Sequence, residues 1–333
     1  MTAVMREPVA LPIRQRPRPP LSGAARSAVS VRGSVPDSAP ALGPVIPGAA
    51  GVGLRDLIDP PRSPARVIAA FPSALYLEMR AAAGPRVLAV VTSDAVRLPN
   101  AVVIAAGSRE RPLRAIREGD EAWVGEGHVE VGALRIRVRR WWDPSPALGD
   151  LTLARLADGV AELEAACAGS RFGLPGHPDP QLLAARCAAG DLAGSVEAAE
   201  RIVGLGPGLT PTGDDVLAGL LVALRTVGAA VADGRTALWL ADWLGAAVTA
   251  DAETRTTTLA ATLLHCADAG QAGAEAAAVL RGVAGHDPVG PAARRLLAAG
   301  HTSGADIAFG LLAGCRAVLS LSHAALAERG APL

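Results

Sequence analysis

The chain has 333 residues, half of them apolar, and its 32 basic and 32 acidic residues balance to a formal charge of zero. That is enough for one large or two ordinary domains with ample core, and it lacks the basic excess of a nucleic-acid-binding surface. Every basic residue is arginine, so a lysine phosphate loop, a lysine Schiff base and a lysine general base are excluded, and any anion must be held by arginine, backbone N–H groups, hydroxyls or a metal.

In chain order, residues 1–22 are rich in Pro and Arg and read as a disordered extension. Arg6, Arg14, Arg16 and Arg18 precede no apolar run of the kind a signal peptide needs. The longest uncharged apolar stretches, such as 216–224, fall short of the roughly twenty residues of a membrane span. The expected location is therefore the cytoplasm, without membrane or nucleic-acid partners.

Short β-branched segments follow at 65–71, 75–79, 86–92, 96–105, 121–124 and 128–142, separated by Gly, Pro or charged turns. They predict a β barrel or sandwich over 23–145. Leu134-Arg-Ile-Arg-Val-Arg139 alternates strictly, the pattern of a strand with one buried face, and places Arg135, Arg137, Arg139 and Arg140 on a solvated face.

Asp143-Pro-Ser-Pro146 breaks the pattern and marks a domain boundary. Beyond it, Ala/Leu/Glu segments with apolar spacings of three and four predict helices at 151–168, 180–203, 214–231, 235–250, 256–269, 272–282, 290–299 and 305–328. The fold class is thus α+β, with a β domain first and an all-α domain over 146–333. Cys167, Cys187, Cys266 and Cys315 form no C-x-x-C pair, so no zinc site or disulfide framework is expected, and they read as core thiols.

Within the helical part, Thr212-Gly-Asp-Asp-Val-Leu-Ala-Gly-Leu-Leu221 returns as Ser303-Gly-Ala-Asp-Ile-Ala-Phe-Gly-Leu-Leu312, so that [ST]-G-x-D-[VI]-x-x-G-L-L occurs twice. Each copy opens a helix, and helix N-termini attract anions because their first N–H groups are unpaired and the dipole is positive there. Two readings of Thr212 with Asp215, and of Ser303 with Asp306, stand side by side. They are capping boxes worth about 1 kcal/mol each, or they belong to a ligand site.

Gly204-Leu-Gly-Pro-Gly-Leu-Thr-Pro211 before the first copy holds more glycine and proline than a cap needs and reads as a built loop. If Asp215 is the capping acid, Asp214 is left free, where the second copy has Ala305. That makes Asp214 the first candidate for chemistry, and Asp214→Asn is expected to abolish turnover without unfolding the chain. Thr254-Arg-Thr-Thr-Thr258 gathers a guanidinium and four hydroxyls at a third helix start, and His301 stands just before the second repeat. Asp214 with Asp215 is also a pair that suits Mg²⁺.

Gly204-Leu-Gly-Pro-Gly-Leu-Thr-Pro-Thr-Gly-Asp-Asp215 resembles the signature of the AllH-type subunit of oxamate carbamoyltransferase. Gly300-His-Thr-Ser-Gly-Ala-Asp306 is similar to that family's G-H-[ST]-S-G-x-D segment, and the strands around Leu98-Pro-Asn100 match its N-terminal half loosely. Thr212 stands where the family has Ser, which keeps the hydroxyl. The resemblance spans roughly residues 25–325.

It implies a subunit of a multi-chain cytoplasmic enzyme of purine (allantoin) catabolism that converts oxalurate and phosphate to oxamate and carbamoyl phosphate. Its partners would be other carbamoyltransferase subunits, and no cofactor is called for beyond a possible Mg²⁺. On that reading N–H groups of Gly206, Gly208 and Gly213, with Thr210 and Thr212, cradle phosphate or carboxylate, and Arg255 neutralises developing charge. Asp214, Asp215 or His301 handles the proton, while Thr257, Ser303 and Asp306 complete the binding set. The alternatives are a non-catalytic scaffold subunit and a Mg²⁺-dependent helical hydrolase holding metal through Asp214 and Asp306.

Overall fold

The computed structural model describes residues 45–81, 84–171, 173–174 and 176–330, and the extension expected over 1–22 lies outside the described residues. The α+β expectation holds, with a closed barrel preceding a helical region. Eight strands build the barrel: β1 (Val45–Gly51), β2 (Ser63–Ala70), β3 (Ala74–Ala81), β4 (Gly84–Val91), β5 (Ala101–Ile104), β6 (Glu121–Gly125), β7 (His128–Val131) and β8 (Leu134–Trp142). Their order around the barrel is β1-β5-β4-β3-β2-β6-β7-β8, and β1 closes it by pairing parallel to β8. Closure leaves no unpaired edge.

In β8, Leu134 and Ile136 are buried while Arg137 and Arg139 are exposed, as alternation requires, and the register shift against β1 leaves Arg140 exposed as well. A short helix, α1 (Arg55–Ile58), packs against β6 and adds Leu57 and Ile58 to the barrel core formed by residues such as Leu75, Leu88 and Ile136. Three segments differ from the sequence expectation. The strand expected over 128–142 is a hairpin, folded at Gly132 with φ of 56°. The one expected over 96–105 shortens to β5 because 96–100 forms a turn. Strand β1 was not expected at all: Pro47, Gly48 and Gly51 carry poor strand propensity, but a Cβ at Gly51 would meet Pro99 O at 2.4 Å, so packing selects the small residue.

The helical region comprises α2 (Leu153–Cys167), α3 (Asp179–Ala189), α4 (Leu192–Ile202), α5 (Thr212–Ala230), α6 (Arg235–Thr249), α7 (Ala252–Arg255), α8 (Thr258–Asp268), α9 (Ala274–Val283), α10 (Val289–Leu297) and α11 (Ser303–Gly330). The helix expected over 180–203 is split into α3 and α4. Gly190 takes the left-handed C-cap (φ 70°), and the Asp191 side chain caps the next helix by accepting from Gly194 N–H at 3.0 Å.

Helix α5 runs through the centre of this region, with α11 packed along it and α6 and α8 on its flanks. The crossing of α5 and α11 is a contact of main chains. A Cβ at Gly219 would meet Ile307 O at 2.3 Å, and one at Gly310 would meet Val216 O at 2.1 Å. By length and composition Ser303–Glu328 could cross a membrane, which the sequence reading did not pick out. However, 67% of its most apolar window is buried, against α5, α3 and α2, as a core helix.

The barrel docks through β4, where Val87 N–H donates to Thr262 Oγ1 of α8 at 3.0 Å. The turn between β4 and β5 adds a second tie, Ala274 N–H to Arg97 O at 2.9 Å.

Gly219→Ala and Gly310→Ala are each expected to destabilise the fold by about 1–3 kcal/mol or more, the cost of overpacking a tight contact. Gly290→Ala in α10, whose Cβ would meet nothing closer than the flexible Arg294 side chain at 3.5 Å, should be neutral or slightly stabilising. Urea unfolding of the three variants checks this order.

Candidate functional site

The loop 204–211 turns through Gly204, Gly206 and Gly208, at φ of 72°, 117° and 99°, values that residues with a Cβ rarely adopt. Hydrogen bonds tie it to three helix starts. Gly213 N–H donates to Leu205 O at 2.8 Å and Gly204 N–H to Asp214 Oδ1 at 2.9 Å, both from or to the first turn of α5. The Thr257 hydroxyl donates to Leu209 O at 2.6 Å while capping α8 by accepting from Ala260 N–H at 3.0 Å. Thr210 Oγ1 lies 3.1 Å from Ser303 Oγ at the start of α11.

The capping-box reading of α5 does not hold. Its N-cap is Pro211, without a side-chain cap. Instead the hydroxyl at each repeat start serves the acid of the other helix. Ser303, with Thr210, hydrogen-bonds the Asp215 carboxyl, and Thr212, with Thr302, faces the Asp306 carboxyl, whose Oδ1 also accepts from Gly173 N–H at 2.8 Å.

The free carboxylate is also not where the sequence placed it. Asp214 has both oxygens bonded, one to Gly204 N–H and the other to the Thr256 hydroxyl. Asp215 is 5% exposed, and its Oδ2 is buried with no hydrogen-bond partner, as is Oδ2 of Asp306.

Burial dominates the electrostatics. It raises the Asp215 carboxyl to about 8. The Ser303 and Thr210 hydroxyls oppose that shift, and the neighbouring Asp306 and Asp214 charges add to it. Burial also raises Asp214, against Thr256, Gly204 and the Arg255 charge, and it raises Asp306 against Gly173, Thr212 and Thr302.

Beside the first turns of α5 lies a narrow cavity of about 90 Å³. Asp214, Asp215 and Thr210 contribute to its lining from the loop and α5, Ile307 and Leu311 from α11, and Val96, Leu98 and Pro99 from the barrel turn. Glu275, at the start of α9, lines it too, and its Oε2 is buried without a partner.

Of the residues expected at the site, Thr210, Thr212, Asp214, Asp215, Ser303 and Asp306 come together here, with Gly206, Gly208 and Gly213 in and beside the loop. Two stand apart. The Arg255 guanidinium donates to Glu200 O at the end of α4 and pairs with Asp251 Oδ1 at 3.4 Å, the usual placing of a cation at a helix C-terminus. His301 is exposed in the turn before α11. Glu275, Gln271 and Gly173 are not among the residues the sequence marks, and Leu98-Pro99, marked only by the resemblance, proves to line the cavity. An acid in the first turn of a helix looks like a dipole partner, and nothing local marks Gln271 or Gly173. Among the described residues no group of three or more His, Cys, Asp or Glu is disposed to hold a metal ion.

Because folded Asp215 binds its proton up to about pH 8 whereas an ordinary aspartate loses it near 3.8, the folded state holds the extra proton across that window. Stability should therefore fall as pH rises from about 4 to about 8. Asp215→Asn lacks this slope, so its midpoint relative to wild type should climb over that window and level off above it. Thermal unfolding at pH 5, 7 and 9 reads the difference, and a constant offset would contradict the assignment.

The family model described as oxamate carbamoyltransferase subunit AllH matches residues 202–315. No curated protein and no solved structure matches the chain. The matched segment begins at the last residue of α4 and ends within α11, enclosing the glycine loop, both repeat starts and Glu275 and leaving out the barrel. The resemblance carried by the glycine loop and the Gly300–Asp306 turn is thereby borne out: over residues 202–315 this chain matches the AllH family of oxamate carbamoyltransferase subunits.

Proposed function

We propose that this chain is a subunit of a carbamoyltransferase acting on small anions, converting oxalurate and phosphate to oxamate and carbamoyl phosphate in the cytoplasm. The observation that carries the reading is Asp215, a residue of the matched segment whose buried, under-partnered carboxyl, raised to about 8, lines a cavity. A group of that pKa exchanges a proton near neutral pH, which is what a general acid–base needs.

In this mechanism a phosphate oxygen attacks the ureido carbonyl carbon of oxalurate. The bond from that carbon to the internal nitrogen then breaks, and Asp215 in its acid form protonates the departing nitrogen to give oxamate. The resulting carboxylate recovers a proton from the hydrogen phosphate that became carbamoyl phosphate, so protons balance over the turnover. Phosphate sits at the mouth, against the backbone of Gly206 and Gly208 and the Thr210 hydroxyl, with the helix-start dipoles favouring its charge. Asp214 shapes the loop, Arg255 acts on it only through its field, and His301 stays outside the proton step. The step needs no cofactor.

Two further observations support the reading. Gly219 rests on Ile307 O as Gly310 rests on Val216 O, and Ser303 serves Asp215 as Thr212 serves Asp306. These reciprocal contacts support reading the two segments as a duplicated loop–helix unit, with the second copy contributing to the first copy's acid. Trp239 and Trp243 lie T-stacked and about half-exposed on α6, an aromatic face of the kind that subunit interfaces cover.

The test is turnover in the enzyme reconstituted with its partner chains, with and without Mg²⁺. Asp215→Asn should lower kcat by at least about 10²-fold, the usual worth of a positioned acid–base. Asp214→Asn, which keeps an oxygen for Gly204 N–H, should retain more activity than Asp215→Asn. Normal turnover by Asp215→Asn would remove the proton role.

A further inference from the structure

The cavity beside α5 has a polarity that an anion site lacks. Among its lining residues there is no arginine or histidine, and the side chains with polar ends are Thr210, Asp214, Asp215, Gln271 and Glu275. Two of these present buried oxygens without a hydrogen bond, Asp215 Oδ2 and Glu275 Oε2. Asp215 as a residue is 5% exposed, so water does not make up the deficit freely, and an unpaired buried acceptor costs free energy until a donor reaches it. The remaining walls are apolar, including Leu98, Leu263 and Leu296. At about 90 Å³ the space is far below the roughly 300–1,000 Å³ of drug-sized sites and admits a group of a few heavy atoms.

A carboxylate or phosphate entering there would face carboxyl oxygens and find few donors. A primary amide or ureido group is small and neutral, and one NH₂ carries two donors. The glycine loop serves the other end of the substrate in the reading above, where its backbone and the helix dipoles face the anion at the mouth. Glu275 comes from α9, outside both repeats, and has no other part in the chemistry proposed above.

We propose that this cavity is the subsite for the amide or ureido end of the substrate, with Asp215 Oδ2 and Glu275 Oε2 accepting its N–H groups, and that Glu275 is a substrate-binding residue. The inference takes the identity of the amide from the carbamoyltransferase reading, while the preference for N–H donors rests on the cavity alone.

Calorimetry on the purified full chain with oxamate and with oxalate tests it, since the two differ by an amide NH₂ in place of a carboxylate oxygen. Oxamate should bind at least about tenfold more tightly than oxalate, a difference of ~1.4 kcal/mol. Glu275→Ala should abolish that preference, and Glu275→Gln, which keeps one acceptor and the side-chain volume, should retain part of it, with unchanged circular dichroism showing that both variants fold. Equal binding of the two compounds, no binding of either, a preference that survives Glu275→Ala, or displacement of oxamate by Mg²⁺ alone would each overturn the subsite. None of those results bears on the turnover lost with Asp215→Asn, so failure of the subsite is told apart from failure of the reaction.

Discussion

Where α5 and α11 cross at Gly219 and Gly310, the main chains approach so closely that a methyl group on either glycine would strike a carbonyl oxygen of the other helix. With the axes pinned three turns or fewer from their starts, the two N-termini are brought side by side, and Asp215 and Asp306 each lie within reach of a hydroxyl from the other helix. Hydroxyls that would otherwise cap their own helices reach the opposite acid instead. The site is thus a by-product of backbone packing: remove the close approach and Asp215 and Asp306 return to solvent as ordinary first-turn acids.

Placing carboxyls at helix N-termini sets two effects against each other. The dipole favours the ionised form by a few tenths to about 1 kcal/mol, whereas withdrawal from water disfavours it by more. At Asp214 the hydrogen bonds from Gly204 and Thr256 and the Arg255 charge help the ionised form. At Asp215 the helping hydroxyls are outweighed by burial and by two neighbouring carboxyls. Both carboxyls are therefore raised, Asp215 to about 8, while Asp214 fastens the loop through its bonds to Gly204 and Thr256.

The sequence made the order of strands and helices legible wherever periodicity was strong, as in β8 and α5, and it singled out the loop, the paired aspartates and the second repeat. It erred where the deciding contact is remote. The capping pattern of Thr212 with Asp215 is a local rule, and it gave way because Pro211 opens the helix and Ser303 lies closer in space than in sequence. The same reasoning left Asp214 free, since Gly204 N–H and Thr256 are partners that no spacing reveals. Arg255 reads as an anion ligand by composition, but its reach is taken up by the end of α4. Strand β1 was missed because its glycines and proline are selected by what crosses them in the barrel and not by strand propensity.

The barrel lies outside the matched segment and carries none of the acids, yet it sets the cavity's width. The turn at 96–99 forms one wall, held by Arg97 O on Ala274 N–H at 2.9 Å and by the Arg97 guanidinium stacked over Trp142 at 5.5 Å. That turn is fixed between β4 and β5, and both strands are locked in a closed sheet with no free edge along which to slide. A wall carried on such a body moves only if the barrel as a whole shifts against α8, where Val87 is bonded to Thr262. Asp214, Asp215 and Glu275 thus reach the cavity from helix starts and Thr210 from the glycine loop, whereas one of the walls that limit its size is carried by the closed barrel.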